Sequence, residues 1–172
     1  MTPLKLHLRA ACALALLFGL GTLAHADSGS LSPRTVLPAY QQECGSCHLA
    51  YPPGLLPASA WRRIMSGLDT HYGSDASLDA AMAQQIGAWL QAHGGTYKRV
   101  SSAPPQDRIT RSAWFERKHR RIAPAVWQHA AVKSPAHCAA CHTGAAQGDF
   151  DEDRLRMPPG LDKRYQNAFK DD

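Results

Sequence analysis

The clearest periodic pattern in the chain is an apolar repeat near its middle. Its members, spaced every fourth residue, are Leu78, Met82, Ile86 and Leu90. This spacing places apolar side chains on one face of an α-helix, so the sequence predicts an amphipathic helix here. Ser77 can cap a helix that begins at Leu78, with Asp79 favourable in its first turn. The pair Gly94 and Gly95 marks the end of the pattern.

Similar signals predict two helices before this repeat. Residues 35–42 form a plausible helix that leads into Cys44. Ser59 can cap a second helix that begins near Ala60, since a serine hydroxyl satisfies free backbone N–H groups in the first turn. The first part of the chain is therefore expected to consist of short helices joined by loops that contain proline and glycine.

The second part of the chain carries comparable signals. Ser112 can start a helix over residues 113–122, and Pro124 suits the first turn of another. Pro135 can open a short helix that leads into Cys138. The chain shows no convincing strand alternation and no βαβ pattern, so we predict a mostly α fold class with long irregular loops.

Residues 97–110 differ in composition from the segments on either side. They are polar, with Pro104 and Pro105 at their centre, which is typical of a linker. We therefore predict two small domains, residues 27–97 and residues 98–172, the second including the linker. Domains of about seventy residues bury little core and usually need a metal, disulfides or a cofactor for stability.

The N-terminal segment, residues 1–26, has the pattern of a secretory signal peptide. Lys5 and Arg9 make its start basic, residues 10–23 are almost wholly apolar, and residues 24–26 read Ala-His-Ala. A basic leader, a short apolar stretch and a small-x-small exit are typical of a cleaved leader. We therefore expect an exported protein, in a bacterial periplasm, with an uncleaved membrane anchor as the alternative.

Composition and charge exclude several classes of protein. The 172 residues are 44% hydrophobic and 19% charged, which excludes collagen-like, coiled-coil and fully disordered chains. Removal of Lys5 and Arg9 with the leader lowers the formal net charge from +5 to +3. Without a long basic run, this charge does not indicate a nucleic-acid partner. No segment after the leader reaches the roughly 20 apolar residues of a membrane span.

The cysteines carry the decisive chemistry. Cys12 lies in the leader, and the other four form two Cys-x-x-Cys-His motifs at residues 44–48 and 138–142. This is the attachment sequence for c-type haem, in which each cysteine forms a thioether and the histidine binds iron. The sequence therefore predicts two covalent c-type haems. The attachment residues are Cys44, Cys47, Cys138 and Cys141, and the iron ligands are His48 and His142.

Three other readings of the cysteine pairs compete with haem attachment. A thioredoxin-like redox pair needs a βαβ context that the chain lacks. A zinc site can use four thiolates, or two thiolates with histidines. Structural disulfides are open to an exported chain, although each would close a very small loop and contribute little stability. Haem is favoured because a histidine follows both pairs and because each half has too little core of its own.

Each iron then needs a second axial ligand. For the first haem we favour His71, because a loop histidine placed after His48 can fold back across the porphyrin. His93 closes the predicted amphipathic helix, where a histidine suits the helix C-terminus as a structural feature. Met65 and Met82 occupy apolar helical positions that are more typical of a core.

For the second haem the candidates are His119, His129, His137 and Met157. His119 shares the apolar face of a strongly basic helix with Phe115 and Ile122, an unusual place for an imidazole that indicates a ligand. His137 directly precedes the motif and cannot easily reach the opposite face of the porphyrin. Met157 is the alternative, since many cytochromes c use a methionine beside proline. The choice matters because His/Met ligation raises the reduction potential relative to two imidazoles.

The chain resembles the small periplasmic dihaem cytochromes c over nearly all of residues 27–156. In the first half the resemblance is carried by Glu43–His48, Tyr51–Pro57, Trp61-Arg62 and His71–Gly73. In the second half it is carried by Arg108–Arg111, Trp114-Phe115, Lys118–Arg120 and Lys133–Ala136. The likeness is specific because it extends well beyond the two haem-attachment motifs.

This resemblance implies a fold, a ligand set and partners. It implies two haem domains, the first like an ordinary small cytochrome c, with both irons held by two histidines. By position the implied pairs are His48 with His71 and His142 with His119. It also implies electron transfer to an oxygen-binding monohaem cytochrome c, in some cases beside a membrane cytochrome b.

The function we expect is that of a soluble electron carrier that moves single electrons between redox proteins and has no catalytic residues. Two filled axial positions leave the iron no site for substrate, so the redox chemistry belongs to the cofactor. The alternative is a dihaem peroxidase or reductase in which one iron opens to substrate. A haem-based sensor or a docked subunit is a third reading, indicated only by the basic helix around His119.

Overall fold

The computed structural model describes residues 31–169, which are folded almost wholly as helices and turns. The α-helices are α1 (Pro38–Gly45), α2 (Ala58–Ser66), α3 (Ala80–Ala92), α4 (Ala113–Lys118) and α5 (Pro124–Trp127). Segments of 3-10 helix lie at Pro53–Leu55, Leu68–Thr70, Lys98–Val100, Pro105–Asp107, Ile109–Arg111, Cys138–Ala140, Ala145–Gln147, Glu152–Arg154 and Lys163–Phe169. The described residues contain isolated β-bridges but no strand. The predicted mostly α fold class is confirmed.

The predicted apolar helix is α3, but it begins two residues later than predicted. The Asp79 carboxylate, and not the Ser77 hydroxyl, accepts the capping hydrogen bond from the Met82 backbone N–H, at 2.9 Å. Serine and aspartate cap helices about equally well. Asp79 takes this role because the Ser77 backbone N–H is held in a turn by the Asp75 carboxylate, at 2.9 Å.

The two helices before α3 also differ from prediction at their starts. α1 begins at Pro38 rather than at residue 35 and extends into the first haem-attachment motif. Proline at a first helical turn loses no hydrogen bond, which makes Pro38 the better start. α2 begins directly after Pro57, whose extended backbone leads into the helix. Ser59 therefore lies inside the first turn and does not cap it.

In the second half the cap of α4 is as predicted, but the helix is shorter. The Ser112 hydroxyl accepts a hydrogen bond from the Phe115 backbone N–H at 3.1 Å. The helix ends at Lys118 instead of continuing to Ile122. Continuation would place four basic side chains close together on one short helix, and like charges at helical spacing are destabilising. Pro124 opens α5, as predicted.

The prediction of a short helix that begins at Pro135 is wrong. Lys133 has a left-handed backbone (φ 68°), which reverses the chain just before this segment. The His137 backbone N–H then donates to the Ser134 carbonyl at 3.1 Å, so Pro135 lies in a turn. Helical geometry starts only at Cys138, as a single 3-10 turn.

The first half of the described chain, residues 31–97, builds a core from α1, α2 and α3. Its buried members are Tyr40, Leu56, Ala60, Trp61, Ile86 and Leu90. α2 and α3 pack against each other, and the Trp61 indole N–H donates to the Pro53 carbonyl at 2.7 Å within this core. That bond satisfies a polar group that is costly to bury alone. The first half therefore has an interior made by the chain itself.

The second half, residues 98–169, has a smaller apolar cluster. Its buried members are Val126, Val132 and Leu161. Partly buried side chains surround them, among them Ile122, Trp127, Met157, Tyr165 and Phe169. Little regular structure supports this cluster, because α5 is a single turn and the described residues after it form only 3-10 turns and loops.

The predicted linker, residues 97–110, is folded onto the first half. Val100 is 4% exposed, and Ala103 and Ile109 pack against the core of the first half. Just before it, Gly95 allows a close approach of two chain segments, since a Cβ there would lie 2.4 Å from the Gly54 carbonyl oxygen. The two-domain division of the sequence stays a prediction, but the polar, proline-containing segment is packed structure.

The predicted leader, residues 1–26, lies outside the described residues. None of the helices in residues 31–169 has both the length and the apolar character needed to cross a bilayer.

Candidate haem-binding sites

The first haem-attachment motif lies where α1 ends. Cys44 is in the last turn of α1, and the Ser46 hydroxyl donates to the Glu43 carbonyl at 2.8 Å, which turns the chain out of the helix. Cys47 is exposed and follows directly. The His48 Nδ1 lies 2.7 Å from the Leu49 carbonyl oxygen. A backbone acceptor at Nδ1 leaves the Nε2 lone pair of a neutral imidazole for a metal.

The structure brings His71 to His48, although 22 residues separate them in sequence. His71 follows the 3-10 turn Leu68–Thr70 and pairs with Ser74 in an isolated bridge. The two imidazole rings lie with centroids 6.1 Å apart and planes at 20°. Burial, together with the nearby His48, lowers the pKa of His71. Both effects favour the neutral ring, which is the form that binds metal.

The second motif is held by backbone hydrogen bonds rather than by an α-helix. The His142 backbone N–H donates to the Cys138 carbonyl at 2.9 Å, which closes the motif into a turn. The Arg156 backbone N–H donates to the Cys141 carbonyl at 2.9 Å, and His142 forms an isolated bridge with Leu155. Leu155 and Arg156, which follow the acidic stretch of residues 149–153, therefore hold the second motif in place.

His119 faces His142 from the end of α4. It is the first residue after the helix, and its Nδ1 lies 2.9 Å from the Phe115 carbonyl oxygen. The Phe115 ring stacks on the imidazole at a centroid distance of 4.0 Å. The centroids of His119 and His142 are 6.2 Å apart, with planes at 72°. The premature end of α4 thus turns the imidazole of His119 toward the second motif.

The electrostatics of this second pair also favour neutral imidazoles. Burial, followed by the nearby His119, lowers the pKa of His142 to about 4, against the opposing effect of Glu152 and Asp149. Burial lowers the pKa of His119 as well, although its bond to Phe115 and the Glu152 carboxylate act in the other direction. Both rings are therefore uncharged at neutral pH and can donate a nitrogen lone pair.

The spacing of each pair fits an iron atom between the two rings. An imidazole nitrogen binds a transition metal at about 2 Å. With about 1 Å from each nitrogen to its ring centre, two such bonds on opposite sides of one metal separate the ring centres by about 6 Å. The observed separations are 6.1 Å for His48 and His71 and 6.2 Å for His119 and His142.

A cavity of about 510 Å³ lies at the second pair. Its walls include all four residues assigned to the second haem, Cys138, Cys141, His142 and His119. Aromatic and apolar side chains complete the lining, among them Ile109, Trp114, Phe115, Trp127, Phe150 and Leu155. The volume lies within the roughly 300–1,000 Å³ usual for ligand and cofactor sites. The residues present therefore fit a porphyrin.

The competing metal and disulfide readings find no support in the described chain. No group of three or more His, Cys, Asp or Glu residues in residues 31–169 is arranged to hold a metal ion. Cys44, Cys47, Cys138 and Cys141 are free of disulfides. Burial raises the pKa of Cys44 and of Cys138 to about 11, so both are thiols at neutral pH in the chain without a bound group.

The competing axial ligands lie in other surroundings. The His93 Nδ1 lies 2.8 Å from the Trp89 carbonyl oxygen at the end of α3, which is the structural role expected for it. Met65 and Met82 pack against the first core. Met157 packs against the Val126 cluster and is not part of the second cavity wall.

The two other histidines of the second half are also engaged elsewhere. The His129 Nδ1 accepts a hydrogen bond from the Ala131 backbone N–H at 3.2 Å. His137 does line the second cavity, but its Nδ1 lies 3.1 Å from the Val132 carbonyl oxygen. Neither forms a ring pair with His142 like that of His119.

Sequence reasoning missed Tyr51, which contacts the first motif and the segment just before the second. Its ring stacks on His48 at a centroid distance of 5.0 Å and an interplanar angle of 28°. Its hydroxyl donates to the Ala136 carbonyl at 2.8 Å, two residues before Cys138. Its position three residues after the first haem-attachment motif could have indicated a role at the first site. Its contact with the distant Ala136 could not be read from the sequence.

Two residues of the acidic segment were also missed. The Phe150 ring lies 5.2 Å from that of His142, and Glu152 pairs with Lys118 at the cavity wall. The acidic residues around Phe150 make the segment read as an exposed loop, which hides its role at the second site.

Comparison with known proteins agrees with this geometry. The family model described as dihaem cytochrome c matches residues 40–150. Among the curated proteins no sequence matches the chain. Among solved structures, the diheme cytochrome type c from Shewanella baltica is 41% identical, with a TM-score of 0.64 over 72% of this chain and 94% of its own.

Two structures of the diheme cytochrome c from Rhodobacter sphaeroides match as well. They are 41% and 38% identical, with TM-scores of 0.59 and 0.60. Each match covers 67% of this chain and 98% of the other. The family implies two c-type haems, and the cysteine pairs at residues 44 and 47 and at residues 138 and 141 fit their covalent attachment. This chain is a member of the dihaem cytochrome c family.

Proposed function

We propose that this protein is a soluble periplasmic electron carrier whose two haems are each held by two histidines. The observation that carries the proposal is the repeated geometry of the two sites. In each, the histidine of a Cys-x-x-Cys-His motif faces a second histidine from elsewhere in the chain, at a spacing that fits one iron atom.

The proposed roles follow from the position of each residue. Cys44 and Cys47 would hold the first haem through thioether links, and Cys138 and Cys141 would hold the second. His48 and His142 are the proximal ligands, and His71 and His119 are the distal ligands. Met157 has no part in ligation, because it packs in the apolar cluster of the second half.

The haem, when bound, supplies the one-electron redox chemistry. The chain orients and shields it. The Nδ1 contacts of His48 and His119 with backbone carbonyls fix these rings and would leave Nε2 free to bind the iron. The rings of Phe115 and Trp127 flank the imidazole of His119 at centroid distances of 4.0 and 5.8 Å. Because His48 with His71 and His119 with His142 would hold the two irons, electrons would pass to and from partners without binding of a substrate.

Location and partners belong to the same proposal. The leader-like pattern of residues 1–26 and the need for covalent haem attachment favour the periplasm. The partners are other redox proteins, with an oxygen-binding monohaem cytochrome c and a membrane cytochrome b as the specific candidates implied by the family. Electron-transfer encounters are usually small and short-lived, so complexes with these partners are expected to be weak.

Carbon monoxide binding to the fully reduced protein tests the ligand assignment. In the wild type we expect slow or negligible binding, because both irons are six-coordinate. His71→Ala and His119→Ala should each open one haem and bind one carbon monoxide per chain rapidly. Met157→Ala is the matched control and should behave as the wild type.

Two results would overturn the proposal. Rapid binding by the wild type would indicate an iron open to substrate, as in a peroxidase or reductase. A second haem opened by Met157→Ala, and left closed by His119→Ala, would transfer the distal role to the methionine.

A further inference from the structure

The linker, residues 97–110, contacts the loop that carries His71. Directly after His71, Tyr72 has a left-handed backbone (φ 51°), which is rare for a bulky residue. In the linker, Gln106 and Asp107 are also left-handed, with φ of 56° and 54°. Such residues persist where the surrounding contacts hold them, and they concentrate at functional sites.

Hydrogen bonds join these unusual segments to each other. The Tyr72 hydroxyl lies 3.2 Å from the Gln106 carbonyl oxygen and 3.1 Å from that of Asp107, so it donates to the linker backbone. The Arg108 guanidinium lies over the Tyr72 ring, 4.3 Å from its centroid. A cation over an aromatic face is attractive. Both the edge and the face of Tyr72 are therefore engaged by the linker.

The linker itself is tied to α2 by a two-pronged ion pair. The Arg63 Nε donates to Asp107 Oδ2 at 2.9 Å, and Arg63 Nη2 donates to Oδ1 at 2.6 Å. The Asp107 side chain is 14% exposed although that of Arg63 is 54% exposed. Forked arginine–carboxylate bonds fix geometry as well as contributing energy. The position of residues 106–108 relative to the first half is thus set by a side chain of α2.

The chain of contacts ends at the His71 imidazole. The Tyr72 ring meets the His71 ring edge-on at a centroid distance of 4.9 Å. The His48 ring is a second aromatic neighbour of His71, at 6.1 Å. We propose that Arg63, Tyr72, Asp107 and Arg108 form a clamp that positions His71 as the distal ligand of the first haem. This proposal rests on the ligand assignment made above. Tyr72 and Asp107 act here as positioning residues.

The clamp also adjoins the second site. Ile109 follows Arg108 directly, packs against the first core and lines the second cavity. The turn Ile109–Arg111 packs against α4, the helix that ends at His119. Ile109, at the end of the linker, therefore contacts both the core of the first half and the cavity of the second site.

The test compares carbon monoxide binding to the reduced holoprotein across a set of variants. Asp107→Gly removes the carboxylate and still permits a left-handed backbone, and Tyr72→Phe removes the hydroxyl alone. Gln106→Gly keeps the ion pair and relaxes the backbone, and Asp162→Asn removes an exposed aspartate that pairs with Arg164. His71→Ala gives the signature of a fully opened first haem. Amide hydrogen exchange at residues 72–76 supplies a readout that does not depend on the haem.

We expect Asp107→Gly to speed binding at the first haem about fivefold, the change that corresponds to a strong partly exposed ion pair. Tyr72→Phe should give a smaller increase in the same direction. Both variants should raise amide exchange at residues 72–76, while Gln106→Gly and Asp162→Asn stay within about twofold of the wild type.

Three results would overturn the clamp. In the first, Asp107→Gly and Tyr72→Phe both bind carbon monoxide and exchange amide hydrogens as the wild type does, while His71→Ala opens the first haem. That result removes the clamp and leaves the ligand assignment intact. The second is an equal increase in Asp162→Asn, which would mean general loosening of the fold. The third is an unchanged first haem in His71→Ala, which removes the ligand assignment together with the clamp.

Discussion

The two halves of the molecule place a pair of histidines at nearly the same separation by different means. In the first half α1, α2 and α3 pack around a core of the chain's own side chains, and the motif projects from the end of α1. In the second half three residues are buried in the apolar cluster, and a cavity of about 510 Å³ adjoins the histidine pair. A similar separation of two histidines is therefore reached in a half whose core is built from protein side chains and in a half whose cavity leaves room for the cofactor.

This difference predicts unequal dependence on the cofactor, and loss of the second haem should have the largest effect. Cys138→Ala with Cys141→Ala should leave the second half without most of its amide protection, because the cavity walls lose the apolar surface that they pack against. Cys44→Ala with Cys47→Ala should leave α2 and α3 protected. Hydrogen exchange measured by mass spectrometry on both double variants checks this expectation, and equal loss of protection in the two halves would refute it.

Truncation of one buried leucine to alanine in each half should have the next largest effect. Leu90→Ala, at 1% exposure in α3, should lower the free energy of unfolding of the first half by about 3 kcal/mol. Leu161→Ala, at the edge of the smaller cluster with 6% exposure, should cost about 2 kcal/mol. Denaturant titration followed by far-ultraviolet circular dichroism gives both values. A larger cost for Leu161→Ala would show that the second half relies on its own core after all.

The smallest expected effect concerns the bond between the halves. Tyr51→Phe keeps the ring on His48 and removes the hydrogen bond to the Ala136 carbonyl, which should cost about 1 kcal/mol. Tyr165→Phe, in the C-terminal segment, is the matched control and should change the free energy of unfolding by less than about 0.5 kcal/mol. Thermal unfolding followed in the haem absorption band measures both, and indistinguishable melting temperatures for the two variants would contradict the assigned role of Tyr51.

The same contrast explains what the sequence could and could not predict. The apolar repeat of α3 and the Ser112 cap of α4 were readable because they depend on neighbours within one helical turn. The cap at Asp79 and the early end of α4 were not, because a local turn and a cluster of like charges decided between equivalent signals. The predicted helix boundaries were wrong where two residues of similar propensity could each start or end the helix.

The sites follow the same rule. The attachment motifs are local in sequence. The assignment of His71 and His119 as distal ligands stays a prediction, which rested on the reach of a loop and on the unusual placement of one imidazole. Tyr51 and Asp107 act through partners that lie 85 and 44 residues away. The Asp107 contact depends on how the linker folds back on α2, and residues 97–110 carry the composition of a flexible connection.

The most direct test of the central claim is low-temperature electron paramagnetic resonance of the fully oxidised wild-type protein. Two imidazoles on each iron should give low-spin ferric signals that account for both haems of the chain. A high-spin ferric signal that accounts for one of the two haems would contradict bis-histidine ligation at that site.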